Sequence, residues 1–183
     1  MKIGVLPIGR VDDAVLLRIQ KGLTRVFPET SCAVVDEKLA LSETAFDEER
    51  RQHRSHAILG EVQSYAVAKT SVNRVLGVVN ADIFVSGLNF VFGEAACPGK
   101  AALISLWRLR PEFYGDPANM ELFLERAVKE AVHELGHTLG LRHCPRPSCV
   151  MHFSNSISDT DIKQSLFCDE CYVHAKISIS KLG

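Results

Sequence analysis

The chain has 183 residues and a mass of 20.2 kDa, with 46% hydrophobic residues and a formal net charge of −1. That size supports one domain with a proper core, which we place at 1–183, and excludes an extended or disordered polymer. Balanced, interspersed charge argues against nucleic-acid binding, and no run of about 18 apolar residues is present to span a membrane.

The elements follow in chain order. Met1 to Gly9 reads as a buried strand, too soon broken by Pro7 for a signal peptide. We therefore expect a cytoplasmic protein, and, because the strand opens the chain, no N-terminal propeptide. Asp12 or Asp13 caps a helix reaching about Phe27, with Val15, Leu16, Ile19, Leu23 and Val26 on one face, and Pro28 ends it. Cys32 to Val35 is a second strand. Residues 36–54 read as a polar, irregular surface excursion, with the basic run Arg50-Arg51-Gln52-His53-Arg54 as a solvated loop or helix start. A helix over roughly 55–68 turns Ala57, Ile58, Leu59, Val62, Tyr65 and Ala66 inward. Arg74 to Val79 is a third strand. Asn89 to Ala95 and Ala101 to Trp107 are two more, joined by a turn at Pro98-Gly99. Asp116 as N-cap and Pro117 at the first helical position open a long helix, whose Leu124, Ala127, Val128, Ala131, Leu135 and Leu139 face the sheet. A short final helix starts near Asp159. Strands alternating with helices predict an α/β (α+β) fold: a mixed, mainly parallel twisted sheet with a hairpin at its end.

The chemistry sits at the end of the long helix, in His133-Glu134-Leu135-Gly136-His137-Thr138-Leu139-Gly140-Leu141-Arg142-His143. His133 and His137, one turn apart, share a helix face and can hold one ion; Glu134 lines the same cleft without binding it. Gly140 can take the left-handed conformation that ends a helix and lets the chain deliver His143 as third ligand. Three nitrogen ligands leave a position open, the catalytic form of a zinc site. Paired helical histidines are also often satisfied by backbone or solvent. The added Gly and third His decide for metal, because five specified residues recur by chance at roughly 10⁻⁷ to 10⁻⁶ per start position.

Cys144 and Cys149, then Cys168 and Cys171, form C-x4-C and C-x2-C pairs separated by a modest loop. This is the spacing of a closed structural zinc; two disulfides, a redox pair or an iron–sulfur cluster are the other readings of such thiols. A four-thiolate zinc would supply folding free energy that the residues after 140 lack in apolar side chains. Cys32 and Cys97 fit neither pair and read as small buried hydrophobes. His53, His56, His152 and His174 have no ligand partner at useful spacing.

The long histidine motif followed by Met151 resembles the metzincin metallopeptidases. With His143-Cys144, Cys149-Val150-Met151 and Phe167-Cys168-Asp169-Glu170-Cys171 it is similar to the archaemetzincins. The likeness is strongest over 130–171 and weaker in Arg51 to Ser55, Phe92 to Ser105 and Arg108-Leu109. It implies a metzincin-like fold with an upper half to about 140 and a lower half, about 141–183, stabilised by the cysteine zinc. It also implies Met151 as an apolar floor under the histidines, and peptide substrate laid along the outer strand, for which 89–96 is the candidate segment. The function implied is zinc-dependent peptide hydrolysis with Glu134 as base, on short peptides as an aminopeptidase. The competing reading is a catalytically weak or silent zinc protein, since Phe153 stands where related metzincins carry a tyrosine hydroxyl. Two zinc ions are expected, the histidine-bound one more labile as pH falls through about 6.5. The expected partner is a peptide, with neither nucleic acid nor membrane.

Overall fold

The computed structural model describes residues 1–182. Strand β1 (Lys2–Ile8) leads into helix α1 (Asp13–Val26), and Asp12 caps it by accepting from the Ala14 amide at 2.8 Å. Its buried positions are Val15, Leu16, Ile19, Leu23 and Val26, the stripe that the 3.6-residue period predicts. Strand β2 (Ser31–Val34) follows. The stretch expected to be irregular instead holds a 3-10 turn (Glu43–Ala45) and strands β3 (Phe46–Asp47) and β4 (Gln52–Arg54). Each is shorter than a periodic signal needs to show itself. Helix α2 (Ser55–Ala68) then leads to β5 (Arg74–Val79), β6 (Ile83–Phe84), β7 (Gly93–Ala95) and β8 (Ala101–Ser105).

The main sheet runs β2-β1-β5-β8-β7, with every pair parallel except β7 against β8; β3, β4 and β6 form a second, small sheet. Strand residues alternate between faces. Val5, Leu76, Val78, Ala102 and Ile104 pack against α1 and the long helix, while Leu6, Val75, Val79, Ala101 and Leu103 pack against Ile58, Leu59, Val62 and Ala66 of α2.

Two boundaries differ from expectation. The long helix α3 spans Met120–Thr138, capped by Asn119, whose side chain accepts from the Leu122 amide at 3.0 Å. Asp116 is not the cap. Residues 111–114 form a 3-10 turn ending at left-handed Gly115, and the Asp116 amide closes back on Pro111. Asn and Asp cap about equally well, so local sequence could not separate the two starts. After α3 there are two short helices rather than one, α4 (Ile157–Ile162), with a Ser156–Asp159 capping box, and α5 (Asp169–Ser180). Ala175 and Ile179 of α5 join the core beneath α3. Among the described residues, no helix is long and apolar enough to cross a membrane.

Candidate metal centre and cleft

α3 is buried almost all round in its second half, from Ala127 through Gly136, so the side chains it offers the cleft are held by packing on every other side. His133 and His137 leave it one turn apart, with their Nε2 atoms 3.1 Å apart. Gly140 follows at φ 87°, a conformation an L side chain resists, and the chain folds back to bring in His143. One ring nitrogen from each of the three histidines falls within 4.8 Å of the others. Each helical histidine has its far nitrogen fixed: Nδ1–H of His133 donates to the Val150 carbonyl and Nδ1–H of His137 to that of Leu141, both at 2.7 Å. This leaves Nε2 of both rings free to accept a cation, the tautomer a ligand needs. Burial pushes His133 well below the usual imidazole range and lowers His137 and His143; the charge of Lys163 pushes all three the same way. Neutral, convergent, preoriented nitrogens fit a zinc ion.

Glu134 lies beside this triad. Burial raises its carboxyl well above the ordinary carboxylate range, Glu130 adds to the rise, and Lys163 opposes it. The carboxylate rests against the edge strand: a Cβ on Gly93 would sit 2.5 Å from Glu134 Cγ and 2.7 Å from its Oε1. Only a glycine at 93 lets the strand and the Glu134 carboxylate approach this closely.

The four cysteine sulfurs also lie within 4.8 Å of one another, and Sγ of Cys144 and Cys168 are 3.8 Å apart. Four thiolates about 2.3 Å from one zinc stand about 3.8 Å from each other, so this set too fits the ion. Cys168 sits at the N-cap of α5; although burial raises its thiol, hydrogen bonds from Cys171, Cys149 and Cys144 bring it down to about 7, while burial and its thiol neighbours push Cys171 up. Met151 is fully buried, and a side chain on Gly136 would collide with its sulfur, which places the methionine directly under the helix turn carrying His133 and His137. The Cys144 amide donates to the Met151 carbonyl at 2.9 Å, so residues 143–144, the methionine turn and the thiol cluster are one connected piece.

The cleft over the triad has a volume of about 390 Å³. One lip is Val85, Leu88 and Asn89 to Ala95; the opposite wall is Phe153, Ser154 and Asn155. Only Gly93–Ala95 of the expected segment 89–96 is strand; the rest is irregular, bonded through the Val91 amide to Ile83. Phe92 accepts from Ser105 and the Ala96 amide donates to Ala101, so the alternate residues Gly93 and Ala95 turn their backbone groups outward, to the cleft.

Sequence reasoning missed the parts that hold this cleft. The basic run is not a solvated loop. Arg50 donates to the Leu88 and Asn89 carbonyls, each at 2.9 Å, and Gln52, 5% exposed, donates to Asn89 at 3.0 Å and to Asp82 at 3.1 Å. Asp82 takes a two-pronged contact from Arg108 at 2.7 Å, and the Arg108 guanidinium covers Phe90 at 4.3 Å. On the other side, Arg126 grips Asp161 at 2.7 and 2.6 Å, tying α3 to α4. Glu130, one turn before Glu134, could have been noticed from its spacing; Lys163, a lone lysine in a polar stretch, gave no signal.

Other residues fall outside the two centres. Cys32 is half-buried with its thiol pushed up to about 12 by burial, whereas Cys97 is exposed, contrary to expectation: it follows the edge strand into the 96–100 turn instead of entering the core. His152 Nδ1 bonds the Cys144 carbonyl at 2.9 Å, His56 reaches Glu94 at 3.3 Å, His53 packs on Phe46, and His174 is exposed.

Residues 19–177 match the family model described as Peptidase family M54. The chain belongs to peptidase family M54. The M54 chain is 49% identical over 170 residues to an archaemetzincin from Pyrococcus abyssi, covering 91% of this chain and 90% of the relative. It superposes on the crystal structure of archaemetzincin from Methanopyrus kandleri with a TM-score of 0.84 and 36% identity, over 98% of this chain and 96% of that one. A zinc-dependent peptidase from Methanocorpusculum labreanum matches with a TM-score of 0.85 and 27% identity, over 94% and 99%. This M54 protein is a zinc metallopeptidase, with a histidine triad and a cysteine cluster that could each bind one zinc.

Proposed function

We propose that the protein hydrolyses short peptides as an aminopeptidase in the cytoplasm. We read residues 1–183 as one catalytic domain, with His133, His137 and His143 holding the catalytic zinc and Cys144, Cys149, Cys168 and Cys171 the structural one. The observation that carries the reading is the meeting of three elements in one cleft: the triad, the Glu134 carboxylate and the outward backbone of Gly93 and Ala95. Zinc at the triad supplies Lewis-acid polarisation of a carbonyl and makes water acidic near neutral pH. Gly93 and Ala95 hold the substrate as an added strand, through backbone groups that impose little side-chain preference. Glu134 then takes a proton from the attacking water and gives it to the departing amine, the service its raised pKa fits. Besides Glu130, which is paired with Lys163, the cleft is lined by Glu94 and Glu134 with no lysine or arginine, which favours a substrate bearing a free α-amino group.

The test compares zinc-loaded wild type and Glu134→Gln on fluorogenic peptides with free and blocked N-termini. Cleavage of the free peptides, at least about 10²-fold faster than by the variant, is the expected result. Equal rates would remove Glu134 as the base, and preference for blocked peptides would replace the aminopeptidase reading with an endopeptidase one.

A further inference from the structure

Lys163 has a side chain 0% exposed to solvent, and its Nζ lies 2.9 Å from Oε1 of Glu130, itself 3% exposed. Thr160, equally buried, donates to the same oxygen at 3.2 Å. A buried ion pair is costly to assemble, because both charges lose water and regain only each other. This one is poorly satisfied even so: the ammonium makes no well-directed hydrogen bond. It is not needed to fasten the lower half to α3, since Arg126 already grips Asp161 with two bonds and Lys129 reaches the Asp161 carbonyl at 3.2 Å. What sets it apart is its place. Glu130 lines the cleft one turn before Glu134, and both of its buried partners, Lys163 and Thr160, sit on the one oxygen Oε1.

We propose that Lys163 masks the charge of Glu130 at the floor of the cleft, and so decides which substrate side chains the peptidase accepts between α3 and the Phe153–Asn155 wall. The proposal rests on the peptide-binding reading above. A side chain beside the scissile bond that enters this space meets a neutral ion pair and is accepted when uncharged. Removing one partner exposes the other. Lys163→Met leaves a bare carboxylate and calls for lysine or arginine; Glu130→Gln leaves a bare ammonium and calls for aspartate or glutamate. An unscreened charge in a desolvated cleft discriminates by at least about tenfold. Lys163 is a specificity determinant here and touches no reacting atom.

The experiment measures equilibrium binding, by fluorescence anisotropy at pH 8, of labelled peptides that differ only in having Leu, Lys or Asp on either side of the scissile bond. The zinc-loaded protein carries Glu134→Gln throughout to stop turnover; persistent cleavage in that background would count against Glu134 as base and not against this proposal. Leu is expected to bind best without further change, Lys to gain about tenfold in Lys163→Met, and Asp to gain about tenfold in Glu130→Gln. The uncharged pair, Glu130→Gln with Lys163→Met, should return to the Leu preference. Should either single variant lose its fold by circular dichroism, the other carries the same test with the opposite sign, and the double variant buries no charge. Unchanged rankings in a folded single variant, or a charged preference surviving in the double variant, would overturn the assignment.

Discussion

Phe153 lines the cleft 4.8 Å from the His143 ring, centroid to centroid, and is 43% exposed. It has no hydroxyl to offer a developing oxyanion, and where such a donor is used its removal costs about 10²–10³ in rate. Phe153→Tyr should therefore raise kcat, by up to about 10²-fold, with KM little changed, which initial-rate kinetics on one free peptide would establish; no gain would mean that this wall does not face the oxyanion. At the same scale, the spacing of His133, Glu134, His137 and His143 was fully legible in the sequence, because helical period alone puts two imidazoles on one face. The partners that orient the rings were not. Val150 and Leu141 act through backbone carbonyls, which any residue supplies, and Gly93 matters for the side chain it lacks.

Long elements with a continuous apolar stripe, α1, α2 and α3, could be read off the sequence, and so could the three parallel strands at the centre of the sheet. Short ones could not: β3, β4 and β6 have two or three residues each, and the two starts available to α3 differ only in which side chain finds an amide. The cleft lip is such an element. Its irregular stretch 85–92 is held by Arg50 and Gln52 through carbonyl oxygens, and a basic run that reads as solvated surface gives no sign of that role. Arg50→Ala is expected to raise KM about tenfold while leaving kcat and bound zinc unchanged, and to speed amide exchange in 85–92 by mass spectrometry. A fall in zinc content instead would show that Arg50 supports the whole site and not the lip alone.

For the molecule as a whole, the two centres are mechanically coupled, because His143 and Cys144 are neighbours and Cys144 is bonded to the methionine turn. Cys168→Ser should lower the zinc affinity of the histidine triad by about tenfold or more, read by chelator competition, although residue 168 is no part of that triad; an unchanged affinity would mean the halves act separately. Acid should act at the triad as well. All three histidines have folded values lowered by burial from the ordinary one near 6.5. The unfolded chain thus binds more protons between those lowered values and 6.5, and the metal-free protein loses stability as pH falls through that window. Glu134, with its raised value, has the opposite sign: what it contributes is lost as pH rises, so Glu134→Gln isolates the histidine trend. Thermal melts of that variant from pH 7 to pH 5 should show a falling Tm. Zinc should be released with a midpoint below about 6.5, because rings that resist protonation keep their lone pairs for the ion.

The order of these parts along the chain has a consequence for how the enzyme comes into being. A nascent protein folds from its N-terminus as it leaves the ribosome. Every strand of the sheet and the whole of α3 precede His143, and the thiol cluster closes only with Cys171. The growing chain therefore carries one lip of the cleft and two of the three histidines before the Phe153–Asn155 wall and the anchored lower half have formed. A peptidase arranged in this way is inert toward its own emerging polypeptide and its neighbours until the segment from His143 to Cys171 has left the ribosome.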